Sequence, residues 1–127
     1  MGYRSDVTIA FYSRDPNNVP GAAIKLWFDE NYPHKEAAKE WNAKITRGND
    51  YVLVQYYDVK WYIGYSHVDA VDTLIRKFDE LFDCGNDHTA AYEYIRVGEE
   101  SNDIMQDRSD FADYLVDVRR EIVTSFD

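Results

Sequence analysis

The sequence predicts an α+β domain of order β-α-β-β-α-β-β, and three observations carry that expectation. Segments in which alternate residues are apolar, the period of a strand with one buried face, recur near both ends and in the middle of the chain. Between them lie two stretches whose apolar residues recur every third or fourth position, as in an amphipathic helix. Proline, glycine, asparagine and aspartate gather where one period gives way to the other. With 127 residues the chain has the size of one domain, residues 1–127, and can bury about two thirds of its unfolded surface around a single core.

Val7, Ile9 and Phe11 alternate with Thr8, Ala10 and Tyr12 as the first strand. Ser13 to Val19, carrying Asp15, Pro16 and Asn17, reads as a loop, and Pro20 stands at the first turn of a helix through Ala22, Ala23, Ile24, Leu26, Trp27 and Phe28. Pro33 is expected to end or kink that helix, because proline lacks the backbone donor and its ring clashes with the preceding turn; Glu36 to Trp41 reads as another short helical piece. Gly48, Asn49 and Asp50 break the chain before a strand at Tyr51 to Tyr57, and Asp58 and Val59 turn it into a short strand at Lys60 to Ile63.

Ser66 is the expected N-cap of the second helix, with Asp69 as a capping partner favoured by the helix dipole. Val68, Val71, Leu74, Ile75, Phe78, Leu81 and Phe82 follow at spacings of three and four, and Gly85 supplies a left-handed ending. Ala91 to Val97 returns to strand periodicity. Gly98 to Asp110 reads as a polar, mostly acidic connection, and Tyr114 to Val123 as a last strand with Asp117, Arg119 and Glu121 outward. Two helices between antiparallel strands, with first and third connections long enough to cross over, predict a ferredoxin-like antiparallel sheet with both helices on one face and an extra C-terminal strand.

Composition narrows the function. Hydrophobic residues make up 45% of the chain and aromatics 16%, enough to offset the entropy of ordering, so disorder is not expected. Cys84 is the single cysteine, which excludes an internal disulfide or a cysteine-based zinc site and suits a reducing compartment. The opening MGYRSDVTIA lacks the apolar run of a signal peptide, Val7 departs from a myristoylation pattern, and no stretch reaches the roughly 18 apolar residues of a membrane span. The net charge of -10 is confined to one side: residues 1–63 hold 8 acidic and 8 basic residues, residues 64–127 hold 16 and 6. Such a half repels phosphate backbones and anionic membranes, so no direct nucleic-acid or membrane binding is expected; either its partners are basic surfaces or cations, or the acid serves only to keep a small domain soluble.

His34, His67 and His88 lie far apart without a repeated ligand spacing and read as surface residues. No nucleophile elbow, phosphate loop, dinucleotide fingerprint or zincin helix is present, and Gly98 is followed by Glu99 and Glu100, which would repel a phosphate; no cofactor and no catalytic residue are assigned. The run Glu99, Glu100, Asp103, Asp107, Asp110 and Asp113 lacks the spacing and central glycine of a calcium loop, so it reads as a solvated loop or a surface for a basic partner, and no metal ligand is assigned. Lys60, Trp61, Tyr62 and Tyr65 form an aromatic cluster at a strand end. Tyr92 and Tyr94 share a strand face, as in sheets that stack RNA bases, but the acidic charge opposes that use.

Three segments, YRSDV at Tyr3 to Val7, VKWYIGY at Val59 to Tyr65 and YIRVGEESNDI at Tyr94 to Ile104, together resemble a group of small acidic proteins encoded by tailed bacteriophages. The resemblance implies expression in the host cytoplasm and a role in host takeover or in blocking a bacterial defence. With the charge asymmetry it leads to an expected function: binding and inhibiting a host protein that has a basic surface, as an acidic mimic of nucleic acid. The carboxylates expected to present the charge are Asp69, Asp72, Asp79, Glu80, Asp83, Asp87, Glu99, Glu100, Asp103 and Asp107, with Trp61 and Tyr65 beside them. One alternative is a small enzyme or ligand sensor with a pocket near Trp61, Tyr65 and His67. Another is a homodimer, larger homo-oligomer or virion component joined through a sheet face or edge. The three motifs also have a purely structural reading, as markers of a strand start, a strand end and a bulge at Gly98.

Overall fold

The computed structural model describes residues 4–32, 43–62, 64–100, 102–118 and 122–126. Strand β1 (Ser5–Ser13) leads to helix α1 (Gly21–Asn31), then to strands β2 (Lys44–Arg47) and β3 (Tyr51–Val59) and helix α2 (Ser66–Phe82). Strands β4 (Ala90–Gly98), β5 (Ile104–Arg108), β6 (Val116–Val118) and β7 (Ile122–Thr124) complete the described elements. The first five strands form one sheet in the order β2-β3-β1-β4-β5 with every neighbouring pair antiparallel, and β6 and β7 pair as a separate hairpin. The chain is therefore α+β with an antiparallel sheet.

The period-two pattern of β1 sends Val7, Ile9 and Phe11 to one face, where Val52, Val54 and Tyr56 of β3 and Tyr94 of β4 join them. Both described helices pack on that face, α1 through Ile24, Trp27 and Phe28 and α2 through Val68, Val71, Leu74, Ile75 and Phe78. At the centre Phe11 meets Trp27 and Phe78 with ring centroids 5.2 and 4.9 Å apart, edge-on or tilted as the ring quadrupoles favour. Gly21 opens α1 where a Cβ would lie 1.8 Å from the Asn49 carbonyl oxygen, so only glycine lets the helix start against the β2–β3 turn.

The opposite face is also covered. Ala10, Tyr12, Leu53, Ala91 and Ile95 pack beneath Val116, with Leu115, Ile122 and Phe126 partly buried beside them. The attachment centres on Glu93, which is 0% exposed. One of its oxygens accepts from the Tyr12 hydroxyl (2.6 Å) and the Leu115 N–H (2.9 Å), the other from Arg108 Nε (3.1 Å) and the Val116 N–H (3.0 Å). Arg108 also donates to the Val116 carbonyl (2.7 Å) and lies over the Tyr114 ring. Arg14 holds Asp113 through two bonds of 3.0 and 3.1 Å.

Several expectations are corrected. The first hairpin lies one step earlier in the chain: Lys44–Arg47 is a strand, Gly48 to Asp50 is its turn, and Lys60 to Tyr62 is not a strand because Trp61 folds inward onto Tyr56, with ring centroids 5.2 Å apart. Ile63, Pro33 and the helical piece at Glu36 to Trp41 lie outside the described residues. Helix α1 ends at Asn31 with Tyr32 extended, the conformation required of a residue before proline. Pro20 is the N-cap of that helix and not part of its first turn.

Ser66 is the first residue of α2; Tyr65 is its N-cap and provides no side-chain hydrogen bond, although Asp69 does lie in the first turn. The helix ends at Asp83, not Gly85: Asp83 takes the left-handed conformation at φ 51°, and its carboxylate accepts from the Asn86 amide. The supposed acidic connection contains β5, whose Ile104 and Met105 supply the strand character that Asp103 and Asp107 obscure. Tyr114 to Val123 is not one strand in the sheet: Tyr114 has φ 58°, and β6 and β7 fold on each other over the outer face. Asp117 is exposed as expected, while Arg119 and Glu121 lie outside the described residues.

Candidate functional site

One end of the sheet is organised by a bulge. Between Ser5 and Val7 on β1 the register with β3 shifts from Val59 to Tyr56, so β3 carries one residue more than β1, and Asp58 adopts φ 54°. Asp6 accepts from the Asp58 N–H (2.8 Å), Arg4 Nη1 donates to the Asp58 carbonyl (3.0 Å), and the Arg4 N–H donates to Glu99 (2.7 Å). Arg96 Nη1 reaches the Ser5 hydroxyl at 3.3 Å. Gly98 itself pairs regularly with Ser5, so the bulge expected there belongs to β3. Residues of the segments Tyr3 to Val7, Val59 to Tyr65 and Tyr94 to Ile104 thus meet at one end of the sheet, where Glu99 and Asp6 serve internal bonds.

Arg96 of this latch also lines a cleft of about 520 Å³ between α2 and the β4–β5 edge. Helix α2 lies over β4, and β5 continues the sheet past it, so the inner face of β5 is left beside the helix. Because directly paired residues share a face, Met105 points with Arg96, and Asp107 with Tyr94, toward the helix side. Val68, Asp69, Asp72 and Ile75 line the cleft from α2, and Trp61 and Tyr62 close one end. Trp61 donates to the Tyr94 hydroxyl; burial raises the Tyr94 pKa, and this bond partly opposes it.

The lining is apolar at its floor and acidic at its rims. Asp69, Asp72, Asp103 and Asp107 face one lining cation, Arg96, which is engaged by Asp103 at 2.8 and 3.1 Å. Asp72 is 3.0 Å from Arg76 one helical turn on. Among the described residues no side chain donates a hydrogen bond or salt bridge to Asp107. Its pKa is raised from the ordinary carboxylate value, first by burial and then by the charges of Asp72 and Asp79. Tyr92 beneath it is pushed up to about 12, again chiefly by burial, with Asp107 and Asp79 adding to the effect.

Of the residues expected to form the binding surface, the structure brings Trp61, Asp69, Asp72, Asp103 and Asp107 together in the cleft and sets Asp79 close enough to act on Asp107. Tyr65 does not line it; its half-exposed ring stands edge-on to Tyr62 at 5.2 Å. Glu80 is exposed on α2, Asp83 caps the helix, and the Glu100 carbonyl accepts the Asp103 N–H (3.0 Å) in the β4–β5 turn. The side chain of His67 lies outside the described residues, as does His34, and His88 is exposed. The expected row of charge is therefore not continuous. Tyr92 and Tyr94 do share a face, but it is the helix-covered one, so neither offers an open stacking surface.

Sequence reasoning missed Tyr62, Met105 and Arg96 as cleft residues and Glu93 as the outer-face lock. The last carried a signal: a glutamate between two tyrosines in a strand must face opposite to them. Among the described residues no three His, Cys, Asp or Glu side chains converge as metal ligands, and no described helix is long and apolar enough to cross a membrane. No known protein family, curated protein or solved structure matches the chain.

Proposed function

We propose that the protein is a non-enzymatic binding module that takes a cationic segment of a partner protein into the cleft between α2 and β5. The observation that carries this reading is Asp107, a carboxylate over apolar surface and beside Asp72 and Asp79, with no described cation to balance it. A lysine or arginine from a partner would neutralise that charge, and its aliphatic stem would cover Trp61, Met105 and Ile75. The order β2-β3-β1-β4, with helices after β1 and β3, supports reading the frame as ferredoxin-like, with β5 added beyond β4. In the setting that the phage resemblance implies, the partner is a host protein with a basic surface in the host cytoplasm, and binding blocks it.

The test is capture of partners from bacterial lysate at low and high salt. Asp72→Lys/Asp107→Lys is expected to lose the salt-sensitive partner, whereas Glu30→Lys/Asp50→Lys, with the same change of net charge on the α1 and β2–β3 side, retains it. Equal loss from both would assign binding to overall charge, and retention by the cleft variant would refute the reading.

The aromatic wall and the volume favour a second reading, a small organic amine as ligand, since sites of a few hundred Å³ with few polar groups suit such molecules. A rise in melting temperature with spermidine, absent in Asp72→Asn/Asp107→Asn, is its expected signature.

A further inference from the structure

We infer that β5 is a strand-addition edge: an extended basic segment of the partner pairs antiparallel with Ile104–Arg108 as a sixth strand and directs alternate side chains into the cleft. This rests on the binding reading above and specifies the form of the partner.

Among the described residues β5 is the end of the sheet, and its Ile104 and Met105 are 39% and 46% exposed, apolar side chains on an open edge. The hydrogen-bond phase of the edge follows from the bonds that flank it. Gly98 N–H donates to the Asp103 carbonyl (2.8 Å) and Ser109 N–H to the Tyr92 carbonyl (3.1 Å). In an antiparallel ladder the residues that bond one neighbour alternate with those that bond the other. Asp103, Met105, Asp107 and Ser109 therefore bond inward to β4, and the N–H and C=O groups of Ile104, Gln106 and Arg108 point away from the sheet.

An added antiparallel strand would bond those three residues and set its own residues opposite Asp107 and Met105 in non-bonded pairs, where Cα atoms approach to about 4.5 Å and side chains meet most closely. Those side chains fall on the cleft face. The segment therefore reads, from its N-terminus, basic residue, any residue, aliphatic residue, with the cation against Asp107 and the aliphatic chain against Met105. A second copy of this chain fits poorly, because edge-to-edge pairing would bring two clefts, each lined by four aspartates, alongside one another. Asp107, an inward-pointing charge on an edge strand, also discourages promiscuous pairing until a cation arrives.

The experiment uses the full chain, ¹⁵N-labelled, titrated with blocked peptides of alternating threonine that carry Lys-Thr-Val or the reverse order, Val-Thr-Lys, at the centre. The Lys-Thr-Val peptide is expected to bind more tightly and to slow amide exchange at Ile104, Gln106 and Arg108 by about tenfold at nine-tenths saturation, leaving Met105 and Asp107 little changed. N-methylation of the central threonine, whose N–H faces Gln106, is expected to abolish binding, and N-methylation of the lysine to be tolerated.

Binding that ignores both methyl groups and leaves the edge amides unprotected would overturn strand addition while the cationic cleft stands. Edge protection that survives Asp72→Asn/Asp107→Asn would keep strand addition and remove the cleft's role. No binding of either peptide at millimolar concentration, or a dimer in light scattering with the same amides already protected, would overturn the inference.

Discussion

Glu93 and Asp107 sit on adjacent strands, one on each face of the sheet, at neighbouring positions in the same ladder. Glu93 is fully buried and accepts four hydrogen bonds, including one from a guanidinium. Asp107 is exposed, has no donor among the described side chains, and lies in the field of Asp72 and Asp79. The two carboxylates differ in burial and also in the supply of donors. A carboxylate whose lone pairs are filled by the chain holds the fold together, and one left wanting a cation is available to a partner.

The sharpest way to break this contrast is to remove each carboxylate. Glu93→Ala strands Arg108, the Tyr12 hydroxyl and two backbone N–H groups, and is expected to lower unfolding free energy in urea by about 3–5 kcal/mol, the range for breaking a buried ion pair. Tyr12→Phe removes one donor to Glu93 and the acceptor of the Asp113 N–H (2.7 Å), at an expected cost of about 1–3 kcal/mol by the same measurement. Asp107→Asn is expected to change stability by less than about 0.5 kcal/mol near neutral pH, in the stabilising direction, while weakening capture of the cationic partner.

The pH dependence of that last variant sharpens the contrast. Because its folded-state pKa is raised, Asp107 holds its proton to higher pH in the folded chain than in the unfolded one. Its contribution to folding is fully present below the ordinary carboxylate range and is lost as pH rises from there through the raised value. Urea unfolding of wild type and Asp107→Asn across that window is expected to show the variant gaining on wild type as pH rises, with no further change above it. The smallest effect is expected at Cys84, fully buried with its thiol pushed up to about 12 by burial first and then by Asp79, Asp83 and Asp87. A thiol-reactive chromophore should label it only as fast as the chain opens.

The periodic elements were legible because they bury one face against a common core: β1, α1, β3, α2 and β4 all lie within a few residues of their expected bounds. The elements that were not legible are those whose identity comes from distant residues. Strand β2 has four residues and no alternation strong enough to outweigh the adjacent turn. Strand β5 is an edge with aspartates, and it is a strand because β4 lies beside it. The hairpin of β6 and β7 depends on Glu93 and Arg108, which precede the start of β7 by 29 and 14 residues in the chain.

The site followed the same division. Trp61, Asp103 and Asp107 stood out by composition, but their meeting requires the pairing of β4 with β5 and the inward fold of Trp61. Two carboxylates of the expected charge row are engaged within the chain, Glu99 by the sequence-distant Arg4 N–H and Asp83 by the nearby Asn86 amide.

The Glu93 lock also sets the order in which the chain can become whole. Its donors come from residue 12 and from residues 108 to 116, so a nascent chain that has just exposed β4 carries a carboxylate with most of its partners still unmade. Docking of the last segment closes long loops, which is slow and favours late commitment. During synthesis the domain therefore waits for residue 116 to emerge before its outer face can settle, and a protease that trims the chain upstream of that point would reopen a sheet whose helical side is already packed.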